Sequence, residues 1–365
     1  YGNLVPRDIA TREIFSICTD DGLSVEQDKL CVYLDLTHLP RTTLDDKLGG
    51  ILEIYEKFQG VDPRDVPMKI FPAVHYSMGG LWVDYERTDS GNLNLGSPRN
   101  QTTNIPGLYA IGEVDYQYHG ANRLGANSLL SCIFSGLMVA PSLENWLKNL
   151  PGTAAGDQPA SFYEAAVGRA DEASDALKKR PAGGENPYII HQALGEAMTA
   201  GATVVRRNPQ LDEAYEKVSE LEERAQKCSL SDGGNWTNQN LQFTRALLDM
   251  FPLAKTVLKG ARLRDECRGA HYKPDFAYPS LTKEDPAERR KEAEQWCDRF
   301  AENTKKWLKS SVASLDSDGE PDIAYEDVDV SLIPPRPRLY GLVGADVIES
   351  VWKERESAAR EALSK

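Results

Sequence analysis

The stretch Tyr118-His119-Gly120-Ala121-Asn122-Arg123-Leu124-Gly125-Ala126-Asn127-Ser128-Leu129-Leu130 constrains this chain more than any other. It sets a His and an Arg among small, turn-forming residues and runs straight into an apolar segment with helical character. Gly120 and Gly125 allow a close backbone approach, and a helix start adds oriented N–H donors for an anionic oxygen. A guanidinium at such a place holds a carboxylate bidentately. Read from the residues alone, Arg123 serves either that role or a local ion pair, and Asn127 or Ser128 reads as an ordinary helix cap. A second glycine block, His75-Tyr76-Ser77-Met78-Gly79-Gly80, lies upstream. His75 follows the apolar run Pro72-Ala73-Val74, so it is either a packed core histidine or a site ligand beside a close backbone approach.

The surrounding pattern predicts an α/β portion followed by an all-helical one. Val32–Leu36 reads as a strand, and Thr43–Phe58 as a helix with Leu44, Leu48, Leu52 and Tyr55 on one face. Gly107–Glu113 reads as a short apolar strand ending at Gly112. The helix after Asn127 is apolar nearly all round, which predicts burial, and Pro141 should end or bend it. Strand, polar loop and buried helix form an α/β arrangement whose ligands sit at strand C-terminal ends. The polar run Asp89–Gln101 reads as an inserted surface loop. Beyond a Gly/Ala/Pro linker at 151–158, Leu211, Ala214, Tyr215, Val218, Leu221 and Ala225 repeat at helical spacing. So do Leu247, Phe251, Ala254 and Leu258, and the periodicity resumes from Pro286 to Leu308. A charged tail with Pro334-Pro335-Arg336-Pro337 reads as an extended close.

Net charge is −14, with 56 acidic against 42 basic residues, which argues against nucleic acid as a partner. The six cysteines form no C-x-x-C pair, so no zinc site or iron–sulfur cluster is expected, and reduced thiols in the cytoplasm fit best. No signal peptide is visible. The most apolar stretch, Leu129–Ala140, contains Ser131, Ser135 and Gly136 and is too short to cross a bilayer.

The two glycine blocks together closely resemble the flavoprotein subunit of succinate dehydrogenases and fumarate reductases, most of all its bacterial, menaquinone-linked branch. No Gly-rich dinucleotide fingerprint is present, and the chain begins at Tyr1 rather than Met. The resemblance therefore implies only the later part of that subunit. Residues 1–71 would end the capping domain, 72–150 would end the FAD-binding domain, 151–270 would form a helical domain, and 271–365 a C-terminal helix and tail. It implies FAD as cofactor and succinate or fumarate as substrate. Electrons would pass to an iron–sulfur subunit and a membrane-anchor cytochrome b, with the protein peripheral on the cytoplasmic face of the inner membrane. Residue by residue, it makes Arg7, which opens a helix in Val5-Pro6-Arg7-Asp8, the proton-transfer residue. His75, Arg123 and Gly125 would hold the dicarboxylate. Glu113 would bind the FAD ribityl chain, and Asn127, Ser128 and Leu129 would face the flavin ring. The plain readings are a solvated helix-start Arg at 7, a strand-end carboxylate at 113 and a helix cap at 127–128. His119 is the weaker candidate, its ring serving the backbone of its own loop. The dense charges of Arg262, Arg264, Glu266, Arg268 and His271 read as a structural network.

Two other functions share these residues. L-aspartate oxidase has the same His-Gly-Ala-Asn-Arg-Leu, but usually Ala-Ser-Asn-Ser where this chain has Gly125-Ala126-Asn127-Ser128. A non-catalytic assembly module would keep the helical domain and tail for docking.

Overall fold

Pro6 has the φ and ψ of a chain entering a helix, and α1 (Arg7–Thr19) starts directly after it with Asp8 in the first turn, as the sequence predicts. The computed structural model describes residues 5–152, 158–331 and 333–363, in two units, Tyr1–Ser77 and Met78–Lys365. In the first unit, β1 (Val32–Leu34) pairs antiparallel with β2 (Met68–Ile70), Val32 opposite Ile70 and Leu34 opposite Met68. The predicted strand stops at Leu34 because the Asp35 carboxylate accepts from the Thr37 N–H and hydroxyl and turns the chain. Between the strands, α2 (Arg41–Gln59) buries Leu44 and Leu52, with Leu48 and Tyr55 on the same face, against Met68. Each of those leucines stabilises the unit by about 2 kcal/mol. Gly60, at φ 73°, terminates the helix in the left-handed conformation.

The second unit begins with irregular chain and then becomes helical. No strand forms at 107–113. Tyr109 makes one bridge to Thr102, and Gly112 (φ 73°) turns the chain into a 3-10 turn at Gly112–Val114. The pairing is a tight loop-back on 101–103, closed by Thr103 N–H to Leu108 O and Ala110 N–H to Gln101 O. Among the described residues there is no parallel sheet, so the α/β expectation reduces here to an extended segment followed by a helix. The loop at 89–101 is turn-rich as predicted, but its far end is buried at Ser97, Asn100 and Gln101.

That helix, α3 (Asn127–Lys148), departs from expectation in its cap and in its burial. Neither Asn127 nor Ser128 caps it: the N-cap residue is Ala126, in the left-handed region at φ 66°, with no side-chain cap bond. Pro141 does not end it, and the helix runs on to Lys148. Its apolar face is uncovered, with Leu129 72% and Leu137 65% exposed, while Ser131, Ser135 and Ser142 face inward. Small side chains win the inner face because backbone packs there. The Gly112 N–H donates to Ser135 Oγ at 3.0 Å, and a Cβ at Gly112 would lie 3.1 Å from Cys132 Sγ.

After α4 (Ala160–Lys178) come the helices that the periodicity predicts. The expected linker falls largely on 153–157, outside the described residues. α5 (Pro187–Ala202), α6 (Asn208–Ala225) and α7 (Gln239–Leu263) pack around Ile190, Leu211, Val218, Leu221, Leu247, Phe251 and Leu258. Asn186 and Asn238 cap α5 and α7 by accepting backbone N–H groups. α8 (Pro286–Trp307) starts from Asp285, which accepts from the Ala287 and Glu288 N–H groups.

The tail is not merely extended. β3 (Lys309–Leu315) and β4 (Pro321–Asp327) form an antiparallel hairpin whose turn is organised by Asp316 and by Gly319 at φ 81°. The chain then closes with α9 (Ala345–Leu363), which buries Ile348 and Val351 against Trp296, Cys297 and Phe300 of α8. The charged surface of α9 masks a short apolar stripe, Val347, Ile348, Val351 and Trp352.

Candidate functional site

Three segments of the second unit converge at the start of α3. Gly80 lies so close to the 3-10 turn that a Cβ there would be 2.6 Å from the Val114 carbonyl carbon, and Leu81 N–H donates to Val114 O at 2.7 Å. The turn in turn hangs on Ser135 of α3. Glycine is thus required at 80 because two backbones touch.

Under this layer sits a polar network the sequence does not announce. Asp115 is buried, and the Gln117 N–H donates to its Oδ1 at 3.1 Å. Satisfying both ends of the Gln101 amide orients it to accept from the Tyr118 hydroxyl at 2.7 Å and to donate to Asp115 Oδ2 at 3.2 Å. Burial pushes the Asp115 carboxyl up to about 6, and the two Gln117 donors only partly offset this. Burial, reinforced by Asp115, likewise raises the Tyr118 phenol.

Above it lies the Arg123 loop. Ser131 Oγ donates to Ser128 O at 2.8 Å, so it accepts from His119 Nε2, 3.2 Å away, which fixes the proton on Nε2. Burial, then the Arg123 charge, lowers the His119 pKa, leaving a neutral ring next to a cation. His119 therefore anchors its loop to α3, a larger role than serving its own backbone. Arg123 is half-buried and its Nη1 reaches Leu124 O at 3.3 Å. Gly125, Ala126 and Leu129 are exposed, and Asn127 and Ser128 are half-buried in the first turn. Because no side chain caps α3, its first-turn N–H groups keep donor capacity for an external acceptor. Glu113 is exposed in the 3-10 turn, a turn residue rather than a strand end. Arg123, Gly125, Asn127, Ser128 and Leu129 lie along the entry and first turn of one helix, and Glu113 lies in the 3-10 turn that packs on the same helix at Cys132 and Ser135. An uncapped N-terminus and a cation suit an anionic group, and the exposed apolar side chains beside them suit an apolar part of the same ligand.

Arg7 and His75 belong to the first unit. Arg7 is the exposed first residue of α1, beside an Asp8–Arg12 pair at 3.5 Å. His75 is exposed in an extended segment, which removes the packed-core reading. Among the described residues no group of His, Cys, Asp and Glu could hold a metal ion.

Known proteins resemble this chain along most of its length. The family described as Fumarate reductase flavoprotein C-term matches residues 191–340, and the FAD binding domain family matches residues 1–129. The succinate dehydrogenase flavoprotein subunit of Bacillus subtilis is 47% identical over 93% of this chain and 51% of its own length. The fumarate reductase flavoprotein subunit of Escherichia coli is 30% identical over 89% of this chain and 48% of its own length. A solved quinol fumarate reductase of Escherichia coli superposes with a TM-score of 0.74 at 28% identity, covering 93% of this chain and 52% of that one. The chain spans about half the length of the curated relatives it matches.

Proposed function

The chain belongs to the succinate dehydrogenase/fumarate reductase flavoprotein family, and on that premise we propose that the protein carrying it interconverts succinate and fumarate. The observation that carries the proposal is the Arg123 loop: a cation and a neutral His119 held against the uncapped first turn of α3. FAD, when bound, supplies the two-electron acceptor or donor. Glu113 binds its ribityl chain, and Asn127, Ser128 and Leu129 offer the helix N–H groups and dipole that favour negative charge on the ring. Arg123, Gly125 and His75 hold the two carboxylates of the substrate. Arg7 moves the proton on the carbon next to the one that loses or gains hydride. A guanidinium rarely deprotonates, so Arg7 works through a relay of carboxylates.

In the same reading, residues 1–71 close the capping domain, 72–150 the FAD-binding domain, 151–270 the helical domain, and 271–365 the C-terminal part. Electrons leave through an iron–sulfur subunit to a cytochrome b anchor, with the flavoprotein peripheral on the cytoplasmic face. This is supported by the likeness to a quinol fumarate reductase. Among the described residues no helix is long and apolar enough to cross a membrane.

The test is succinate-dependent dye reduction by the FAD-loaded protein. Arg123→Ala should lower kcat/KM by about 10²–10³, and Arg7→Lys should lower kcat while succinate still binds. An unchanged kcat/KM in Arg123→Ala, or faster oxidation of aspartate with oxygen, would overturn it.

A further inference from the structure

Outside the site, a dense cluster of charge lies in the segment Arg264–Lys273. Glu266, 2% exposed, accepts from Arg264 Nε at 2.6 Å and from Arg268 Nε at 3.0 Å. Arg264 also donates to Lys309 O at 2.9 Å, and its guanidinium lies 5.7 Å from the Trp307 ring centre. His271 Nε2 is 2.8 Å from Arg264 O, and its Nδ1 is 2.8 Å from Arg206 Nη1. Arg206 N–H donates to Tyr272 O at 2.9 Å. All of these bonds fix the base of one small turn. Arg268 and His271 exchange N–H···O bonds of 2.9 and 3.0 Å, leaving Gly269 and Ala270 at its tip.

The tip is seated on the Arg123 loop. Ala270 N–H donates to Ala121 O at 2.8 Å. A Cβ at Gly269 would lie 2.6 Å from the Ala121 carbonyl carbon and 2.9 Å from Asn122 Cβ. Gly269 is also left-handed, at φ 58°. The loop is therefore held at two points, His119 to Ser131 on α3 and Ala121 to the tip, with Arg123 four and two residues further on.

We propose that the Gly269–Ala270 turn is a positioning element that sets where the Arg123 guanidinium stands, making the charged segment 264–273 part of the substrate machinery. The proposal rests on the reading of Arg123 as a carboxylate holder. The base of the turn is bonded to Arg206, Asn208, Arg262, Trp307, Lys309 and Ser311, and the tip's contact with Ala121 is additional to those bonds. Substituting Gly269 presses on the backbone two residues before Arg123.

Hydrogen exchange of the whole chain tests the contact. In Gly269→Ala, amides of 119–126 should exchange about tenfold faster while those of α6 and α7 stay unchanged. Gly319→Ala is the control, since Gly319 is also left-handed (φ 81°) but has nothing within 4 Å of a built Cβ. It should leave 119–126 untouched. In the FAD-loaded protein, Gly269→Ala should raise the succinate KM by about tenfold with little change in kcat, as expected for a misplaced binding group. Unchanged exchange at 119–126, an equal rise across α6 and α7, or an unchanged KM would overturn the proposal. A wild-type protein inert toward succinate would instead remove the substrate assignment, and the exchange arm alone would then decide the clamp.

Discussion

His271 Nδ1 lies 2.8 Å from Arg206 Nη1 while its Nε2 lies 2.8 Å from Arg264 O, so the ring must accept at one nitrogen and donate at the other. Only the neutral tautomer does both. Burial, with Arg206 as the next cause, pushes this His down to about 4. A base depressed in the fold contributes stability that is full above its unfolded value of 6.5 and lost as pH falls through about 4. Urea unfolding between pH 7 and 4 should lose on the order of 3 kcal/mol through this group. His271→Gln should flatten that dependence, and an unaltered pH profile in the variant would contradict the assignment.

Asp115 gives the opposite sign. Its carboxyl is raised to about 6 by burial against an ordinary 3.8, so its contribution is full below 3.8 and is lost as pH rises through 6. Asp115→Asn should therefore stabilise the protein by about 1–2 kcal/mol at pH 8 and by little at pH 4. Thermal unfolding at both values checks this. Equal effects at both would mean that the charge is not what costs.

Ala126 holds a left-handed φ of 66° at the start of α3. That conformation costs a residue with a Cβ about 1 kcal/mol. Ala126→Gly should be neutral to about 1 kcal/mol more stable, the greater freedom of glycine when unfolded offsetting part of the relief. A clear loss of stability by urea unfolding would mean that the Ala126 methyl packs in a way its backbone does not suggest.

Lys255, 5% exposed, sits 2.5 Å from both Glu222 Oε2 and Glu320 Oε1, and Tyr215 donates to Glu320 at 2.5 Å. This joins α6 and α7 to the tail hairpin. Lys255→Met leaves two facing carboxylates without their cation and should cost about 3 kcal/mol. Adding Glu320→Gln should recover a measurable part of that loss in a double-mutant cycle. Strictly additive effects would show that the three groups do not act together.

Much of the helical part was legible because its signals are short-range. Leu211, Val218 and Leu221 on α6 and Leu247, Phe251 and Leu258 on α7 recur at a period that only a helix places on one side, and all are buried. The hairpin and α9 were harder to see. Asp316-Ser317-Asp318-Gly319 is a turn signal within a charged tail, and α9 buries only a narrow stripe. At the site, the glycines at 80 and 120 and Arg123 stood out, whereas Asp115, Ser131 and Ser135 did not. Their importance lies in partners 12 or more residues away or in a helix face that contact alone reveals.

The sequence by itself carried the resemblance to the family, the helices with clean periodicity and the Gly-rich loop that carries Arg123. Residue spacing, turn chemistry and a distinctive run of side chains are all local. Only the tertiary structure decided which face of α3 turns inward, that Asp115 is buried and its carboxyl raised, and that Gly269 rests on Ala121. Those outcomes depend on what comes across space: two backbones meeting at Gly80 and Val114, or a tip 148 residues downstream of Ala121 touching its carbonyl. Burial and close approach are properties of the pair, and neither partner announces them alone.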